Sequence, residues 1–507
     1  MANKCTKLLL KDINIVLRSI KKYIMSFQII NKEFKAYILL GLLLCIYVVA
    51  EAYLMPLTHD ELSTIGFSRQ SITDIISYKD PIPNNHILNT LLLKLHIYIF
   101  GDNLITNRLP NILAFVLYYI FSIKLSFLLG KDTFYRSGIV ILVAMQPFLF
   151  DFFSVSRGYG LSLGFMSLSL YYLVLYVKNR RLNQMVLSLV FAAIGVVANF
   201  TLLNYYLPLV LVSGIYLLID SKRSKDLIQL IKGVTVIVGV SLILASICYL
   251  PFKKMMATNQ FQYWGNKSFF HDTVVELAYS LKSGISYFPW NKEEQAYVIS
   301  VLMLIMLISG FYHYMKHKAK DNIYIIFLSL FVLIIIYNNL QHYLAGVPFL
   351  NARTALFFVP LTAIMVVLSI QNIGLKKDWL GIILVSFLSI INIQHFFRAN
   401  NPRANFEWYQ DEQTHQVLRE INNMIMLDGY KKPVKIDCNW IFHPSLTYHI
   451  EKNYQGVMEL LPYHKDTQVG SPAMFYYAES SETEALKEDF IAVKDYAWKT
   501  KFILKRK

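Results

Sequence analysis

Long apolar runs separated by short polar segments fill most of the chain. An apolar stretch of about 20 residues is long enough to cross a bilayer as a helix. Eleven such spans are predicted, at 36–55, 105–129, 135–153, 158–177, 184–200, 202–219, 233–251, 296–314, 322–340, 354–370 and 379–396. The fifth and sixth are short and joined by Asn199-Phe200-Thr201, which predicts a hairpin with little loop. Three polar segments are long enough to carry function: 56–104, 252–295 and 397–507. The first contains the turn-rich Asp80-Pro81-Ile82-Pro83-Asn84-Asn85 and then the apolar stretch His86–Phe100. That stretch is too short and too interrupted to span, and reads as a helix lying in or near the interface. In the last segment a helix is expected around Tyr409–Met426, with strands at Val434–Cys438, Phe490–Val493 and Phe502–Leu504. The reading is a polytopic all-α membrane protein of about eleven spans (36–396) with a small C-terminal α/β soluble domain (397–507).

Composition agrees: of 507 residues 55% are hydrophobic and 16% charged, with a mean hydropathy of +0.42. A string of soluble domains would carry roughly a quarter charged residues. The net charge of +16 is explained by the positive-inside rule. With a cytoplasmic N-terminus, the inside segments are 1–35, 130–136, 178–183, 220–232, 315–321 and 371–378. Together they hold 22 Lys and Arg against 7 Asp and Glu, whereas the tail holds 15 of each. An odd number of spans then places the tail outside. The start of the chain is basic and partly amphipathic from Lys7 to Lys22, as expected of a segment on the inner leaflet and not of a cleaved secretory leader. Because the basic residues lie in short, separate inner loops, nucleic-acid binding is excluded. The four cysteines show no CxxC and no metal-type spacing.

Candidate chemistry sits at the outer ends of the spans. The first outer loop opens with Thr58-His59-Asp60-Glu61. Two carboxylates and an imidazole at a membrane surface suit proton transfer from a hydroxyl or cation binding; the plainer alternative is a solvated loop start. Asp151 and Arg157 flank the junction of the third and fourth spans, Arg108 opens the second and Arg353 the tenth. Arginines at such places either snorkel as interface anchors or serve function. All three lie outside, against the positive-inside trend, which favours an anionic ligand, and guanidinium forks suit phosphate. Tyr263, Trp264, Tyr287 and Trp290 fit an aromatic belt at the interface or a sugar-stacking wall. His342, His443 and His449 have no ligand-type partners at helical spacing, so no metal set is defined.

Taken in order, these residues resemble a family. The resemblance is carried by Asp60-Glu61 after the first span, by Pro83-Asn84-Asn85-His86-Ile87-Leu88-Asn89 and by Asn107-Arg108-Leu109-Pro110-Asn111. Ser156-Arg157-Gly158-Tyr159-Gly160-Leu161 and Arg353-Thr354-Ala355-Leu356-Phe357-Phe358-Val359-Pro360-Leu361 complete it. The pattern is similar to the GT-C fold membrane glycosyltransferases, in the protein O-mannosyltransferase and aminoarabinose-transferase group, over most of residues 36–370. The resemblance implies a sugar donor linked to polyprenyl phosphate and a glycan, lipid or protein acceptor on the outer face. It implies Asp60, with Glu61 beside it, as general base or acceptor-orienting acid, and Asp151 as a second acidic position. Arg108, Arg157 and Arg353 would hold the lipid phosphate, with His59, His86 and Tyr159 as accessory candidates. A divalent cation that helps the phosphate leave is the one cofactor candidate. Two features depart from the family pattern: His59 before the acidic pair, and a terminal domain unlike the soluble insert of the protein O-mannosyltransferases. The competing reading is a multi-pass transporter or lipid-linked sugar flippase, which would place its ionisable residues and Gly/Pro breaks near the midplane. A scaffold presenting the terminal domain leaves the arginines unexplained. Usage rich in Lys, Ile and Asn suggests a bacterial inner membrane.

Overall fold

The computed structural model describes residues 32–260, 265–316, 322–373, 378–496 and 500–507. The basic stretch Lys7–Lys22, Tyr263, Trp264 and, of the expected inner segments, residues 317–321 and 374–377 lie outside the described residues. The chain divides into two compact units, Met1–Ile46 and Tyr47–Lys507.

All eleven predicted spans are helical, and the protein is a polytopic helical membrane protein. Among the described residues, eight helices are long and apolar enough to cross a membrane. They are Lys32–Leu54, Leu104–Leu129, Gly158–Asn179, Phe200–Ser224, Leu227–Ala257, Lys292–Lys316, Ile323–Ala345 and Asp378–Ala399. Leu182–Ala198 and Phe358–Ile373 are shorter apolar helices at the fifth and tenth predicted positions. The stretch expected at the interface is the 14-residue helix Ile87–Phe100. Starts follow their caps: the Asn103 side chain accepts from the Thr106 amide and the Asp226 side chain from the Gln229 amide.

The third predicted span is not one straight helix. Thr133–Ala144 and Pro147–Phe153 meet at 58°. Pro147 has no N–H to continue the upstream ladder, so carbonyls before it lose their partners. Val143 O, four residues before Pro147, accepts instead from the Tyr118 hydroxyl (2.9 Å). Asn392 Nδ2 of the last span donates to Met145 O (2.9 Å) and to Ile141 O (3.0 Å), which also accepts from the Met145 amide, while Gln146 Nε2 donates to Asn392 Oδ1 (3.0 Å). Broken backbone is thus satisfied by a neighbouring helix, as apolar surroundings demand. The break re-aims Pro147–Phe153, and the chain turns through Ser154–Arg157 before the next helix starts at Gly158.

The C-terminal segment is an α/β domain on a five-stranded sheet in the order β2-β1-β3-β5-β4. The strands are Val434–Cys438 (β1), Met458–Leu460 (β2), Phe475–Glu479 (β3), Phe490–Tyr496 (β4) and Lys501–Arg506 (β5). β1 pairs in parallel with β2 and β3, and β5 runs antiparallel to β3 and β4. One face packs Ile436, Phe475 and Ile503 against Val417 and Ile421 of helix Thr414–Asp428 and Leu446 of helix His443–Asn453. Sequence periodicity finds β1, β4 and β5 but neither β2, which is only three residues long, nor β3, whose Phe475-Tyr476-Tyr477-Ala478 is buried on both faces and shows no alternation. The expected helix around Tyr409–Met426 begins later, at Thr414; Tyr409–Asp411 is a separate 3-10 turn.

Candidate active site

Helix His59–Ser68 opens on a capping box. The Thr58 hydroxyl accepts from the Glu61 amide (3.4 Å), and Glu61 Oε2 accepts from the Thr58 amide (2.9 Å). The cap fixes Glu61 inward, where it meets Arg108. Arg108 Nε donates to Glu61 Oε1 at 2.8 Å and Nη2 to Oε2 at 2.7 Å. Its other donors reach the Ala52 and Met55 carbonyls, both at 2.8 Å, and Pro56 O at 2.7 Å. All five guanidinium N–H groups are therefore used, and both side chains are fully buried. Glu61 Oε1 also accepts from the Ser156 amide at 2.6 Å. The pair staples the end of the first span, helix His59–Ser68 and the Ser156-Arg157 turn. The structure does not bring Arg108 or Glu61 to an open ligand position.

Asp60, one residue earlier, faces the other way. Its Oδ2 lies 3.5 Å from Arg157 Nη2 and 3.4 Å from Arg353 Nη1. Asn84, from the predicted turn, bridges them: its Nδ2 donates to Asp60 Oδ1 (3.1 Å), and Arg157 Nη2 donates to its Oδ1 (3.0 Å). Burial alone would push the Asp60 carboxyl up, but the Arg157 and Arg353 guanidiniums hold it far below the usual carboxylate range. Around this pair, Asp60 Oδ2, Arg157 Nε and His86 Nε2 are buried atoms with no hydrogen-bond partner. Asp60 Oδ2 is thus held by two longer ion contacts alone, and Arg157 Nε and His86 Nε2 keep unused hydrogen-bonding capacity beside it. The His86 ring lies 5.4 Å from that of Tyr159, and burial, with Arg157 next, holds its imidazole well below the ordinary range. Tyr159 hydrogen-bonds Arg353.

Two glycines let this cluster form. A Cβ on Gly158 would lie 1.9 Å from Ala198 O and 2.8 Å from His86 Cβ, and one on Gly160 would lie 2.5 Å from Phe152 O. The family-like motifs also meet in space. Asn111 Nδ2 donates to Asn89 Oδ1 (2.8 Å), Asn89 Nδ2 to Ser156 O (3.3 Å) and the Leu161 amide to Asn111 Oδ1 (3.2 Å).

Arg353 does not open the tenth helix as expected. It sits in the 3-10 turn Ala352–Ala355, before the helix that starts at Phe358. There it lies 3.7 Å from Glu407 Oε2 and 5.1 Å over the Trp408 ring. Glu407 and Trp408 follow the last span and were not singled out by sequence; an acid and a Trp just outside a final span were the available signal. Asp151 fixes them in place rather than joining Asp60. Its Oδ2 accepts from the Phe406 amide (2.9 Å) and its carbonyl from Asn405 Nδ2 (3.2 Å). His59 turns to the terminal domain: its amide donates to Asp411 Oδ2 (2.9 Å), and its ring lies 5.9 Å from Trp440. Further ties are Ser445 Oγ to Leu57 O (2.8 Å) and Tyr448 OH to Asp102 Oδ1 (2.9 Å).

Among the described residues, no group of three or more His, Cys, Asp and Glu is placed to hold a metal ion. The Asp60 cluster does not fit a divalent cation, because two guanidiniums already face its carboxylate.

No family model matches the chain, and no curated protein matches it. Among solved structures, the chain is similar to ArnT from Cupriavidus metallidurans bound to undecaprenyl phosphate. The TM-score is 0.43 and the identity 12%, over 92% of this chain and 98% of that one. It is also similar to the same ArnT in the apo state, with a TM-score of 0.47 and 11% identity, over 93% and 98%.

Proposed function

We propose that this protein is an integral membrane glycosyltransferase of the GT-C kind, working on the outer face of a bacterial inner membrane with its N-terminus cytoplasmic and its terminal domain outside. One observation carries the reading: a carboxylate, Asp60, stands between the guanidiniums of Arg157 and Arg353 at 3.5 and 3.4 Å, longer than close hydrogen bonds. A transfer from a polyprenyl-phosphate-linked sugar needs these two kinds of group side by side. Asp60 takes the proton of the acceptor hydroxyl as its oxygen bonds to the anomeric carbon. The bond from that carbon to the phosphate oxygen breaks, its electron pair leaves with the polyprenyl phosphate, and configuration inverts. Arg353 and Arg157 stabilise the leaving phosphate. Arg353, with 29% of its side chain exposed against 2% for Arg157, meets the phosphate first. Glu61 and Arg108 hold the frame and do not touch substrate.

A place for the lipid tail supports the reading. An apolar cavity of about 550 Å³ lies between helices Lys292–Lys316, Ile323–Ala345 and Phe358–Ile373, lined by Phe269, Leu277, Met303, Phe331, Phe358 and Val366. The Thr273 hydroxyl ties the segment over it to Leu350 O at 2.6 Å, close in sequence to Arg353.

The test is mass spectrometry of envelope glycans and lipids from cells carrying the wild-type gene, no gene, or Asp60→Asn. A sugar modification present only with wild type is expected. Unchanged glycans with altered solute uptake would replace the transferase with a transporter, and full modification with Asp60→Asn would remove Asp60 from the chemistry.

A further inference from the structure

Arg353 Nη1 is divided between two carboxylates, Asp60 Oδ2 at 3.4 Å and Glu407 Oε2 at 3.7 Å. Neither is a close hydrogen bond, in contrast to the 2.7 Å pairing of Arg108 with Glu61. Counted by charge, Asp60 and Glu407 balance Arg157 and Arg353, so the cluster is neutral by itself. A phosphodiester brings one more negative charge to a site with little water to screen it. Something must give way. The backbone of Glu407 cannot readily withdraw, because Asn405 and Phe406 are tied to Asp151 and Trp408 is buried. The charged and titratable groups facing the Glu407 carboxyl are Arg353 on the 3-10 turn, Asp60 on helix His59–Ser68 and Asp151 on helix Pro147–Phe153.

We propose that Glu407 is a positioning residue that withholds Arg353 from a phosphodiester ligand while ionised and releases it when protonated, so that ligand binding delivers a proton to Glu407. The inference rests on the lipid-phosphate reading above. Burial, reinforced by Asp60, raises the Glu407 carboxyl despite the opposing pull of Arg353, which brings its proton uptake nearer to neutral pH. Binding also leaves Asp60 with one guanidinium fewer, so its basicity rises only when donor is present.

The experiment uses the purified full chain in nanodiscs and a polyprenyl methyl phosphodiester, whose single charge is constant between about pH 5 and 9. For wild type, affinity should weaken by up to about tenfold per pH unit across the range where Glu407 ionises. Glu407→Gln should bind throughout as tightly as wild type does at the acid end. A pH slope in Glu407→Gln equal to that of wild type overturns the proposal. If that variant does not fold, calorimetry of wild type in buffers of differing ionisation enthalpy counts protons directly. Uptake approaching one proton per ligand supports the proposal and zero uptake overturns it. Binding without pH dependence or proton uptake removes the role of Glu407 alone, whereas no binding at any pH removes the lipid-phosphate reading and this inference with it.

Discussion

Asp60 and Glu61 are adjacent in the chain, yet their carboxylates belong to different arginines and to different kinds of contact. Glu61 meets Arg108 through two hydrogen bonds of 2.8 and 2.7 Å with neither side chain exposed. Asp60 meets Arg157 and Arg353 at 3.5 and 3.4 Å, with 13% of its side chain exposed. The difference comes from the capping box, which turns Glu61 back onto the helix start and leaves its neighbour on the open side. A saturated, dry ion pair has no capacity left for a ligand. A loose one with orphan atoms has.

The Arg108–Glu61 pair is therefore expected to govern folding and not donor binding. Arg108→Met leaves a buried carboxylate without its counter-ion, at a cost of about 3–5 kcal/mol. Its thermal midpoint and yield should fall sharply, and adding Glu61→Gln should recover part of the loss. A well-folded Arg108→Met with normal thermal stability but weakened donor affinity would return Arg108 to the phosphate site.

Arg353 should behave in the opposite way. Its side chain is partly open and bonded loosely, so Arg353→Ala is expected to fold. The donor KM should rise by roughly 10- to 100-fold, as for loss of a charge-assisted phosphate contact, with the acceptor KM little changed. Steady-state kinetics with each substrate varied in turn decides this, and an unaltered donor KM would refute the assignment.

Much of this site was legible in the sequence because its parts sit where a membrane disfavours charge. Asp60, Arg157 and Arg353 are legible as charges at the ends of apolar runs, His86 and Tyr159 only through the motifs that carry the family resemblance, and the five converge. The motifs around Asn89, Asn111 and Ser156 share one hydrogen-bond network, which is why they occur together. Which arginine faces which acid was not legible. Arg108 and Arg157 present the same one-dimensional signal, and only the cap at Thr58 sorts their partners. Glu407 and Trp408 leave only a weak mark in the sequence, an acid and a Trp just past the last span, and three-dimensional anchoring by Asp151 is what gives them a role. In the same way, the break at Pro147 hides inside a continuous apolar run.

Gly158 offers a steric test of that convergence. A Cβ there would lie 1.9 Å from a backbone carbonyl, which cannot rotate aside, and 2.8 Å from the His86 side chain. Gly158→Ala should cost about 1–3 kcal/mol through overpacking and lower activity by displacing His86 and Arg157. Gly66→Ala, with nothing within 4 Å of its Cβ and a place inside helix His59–Ser68, is the control and should be neutral or mildly stabilising. Paired thermal melts and transfer assays check both; a Gly158→Ala protein indistinguishable from wild type would show that the packing there is looser than it stands.

Asp411 predicts how the terminal domain responds to pH. It accepts from the His59 amide with one oxygen and has no hydrogen-bond partner for the other, and burial pushes its carboxyl up to about 8. An unfolded Asp titrates near pH 4, so between about pH 4 and 8 the folded protein holds a proton that the unfolded chain has released. The stabilisation is complete below the unfolded value, declines as pH rises through this window and is lost above the folded one. Wild-type protein should therefore lose thermal stability from pH 6 to pH 9, by a few degrees, as the charged carboxylate loosens the contact between the terminal domain and the helix bearing Asp60. Asp411→Asn keeps an oxygen for the His59 amide but cannot ionise, so its melting temperature should be flatter across the same range and higher than wild type at the alkaline end. Parallel pH profiles for the two proteins would mean that Asp411 is already ionised in the folded state and that the alkaline loss arises elsewhere.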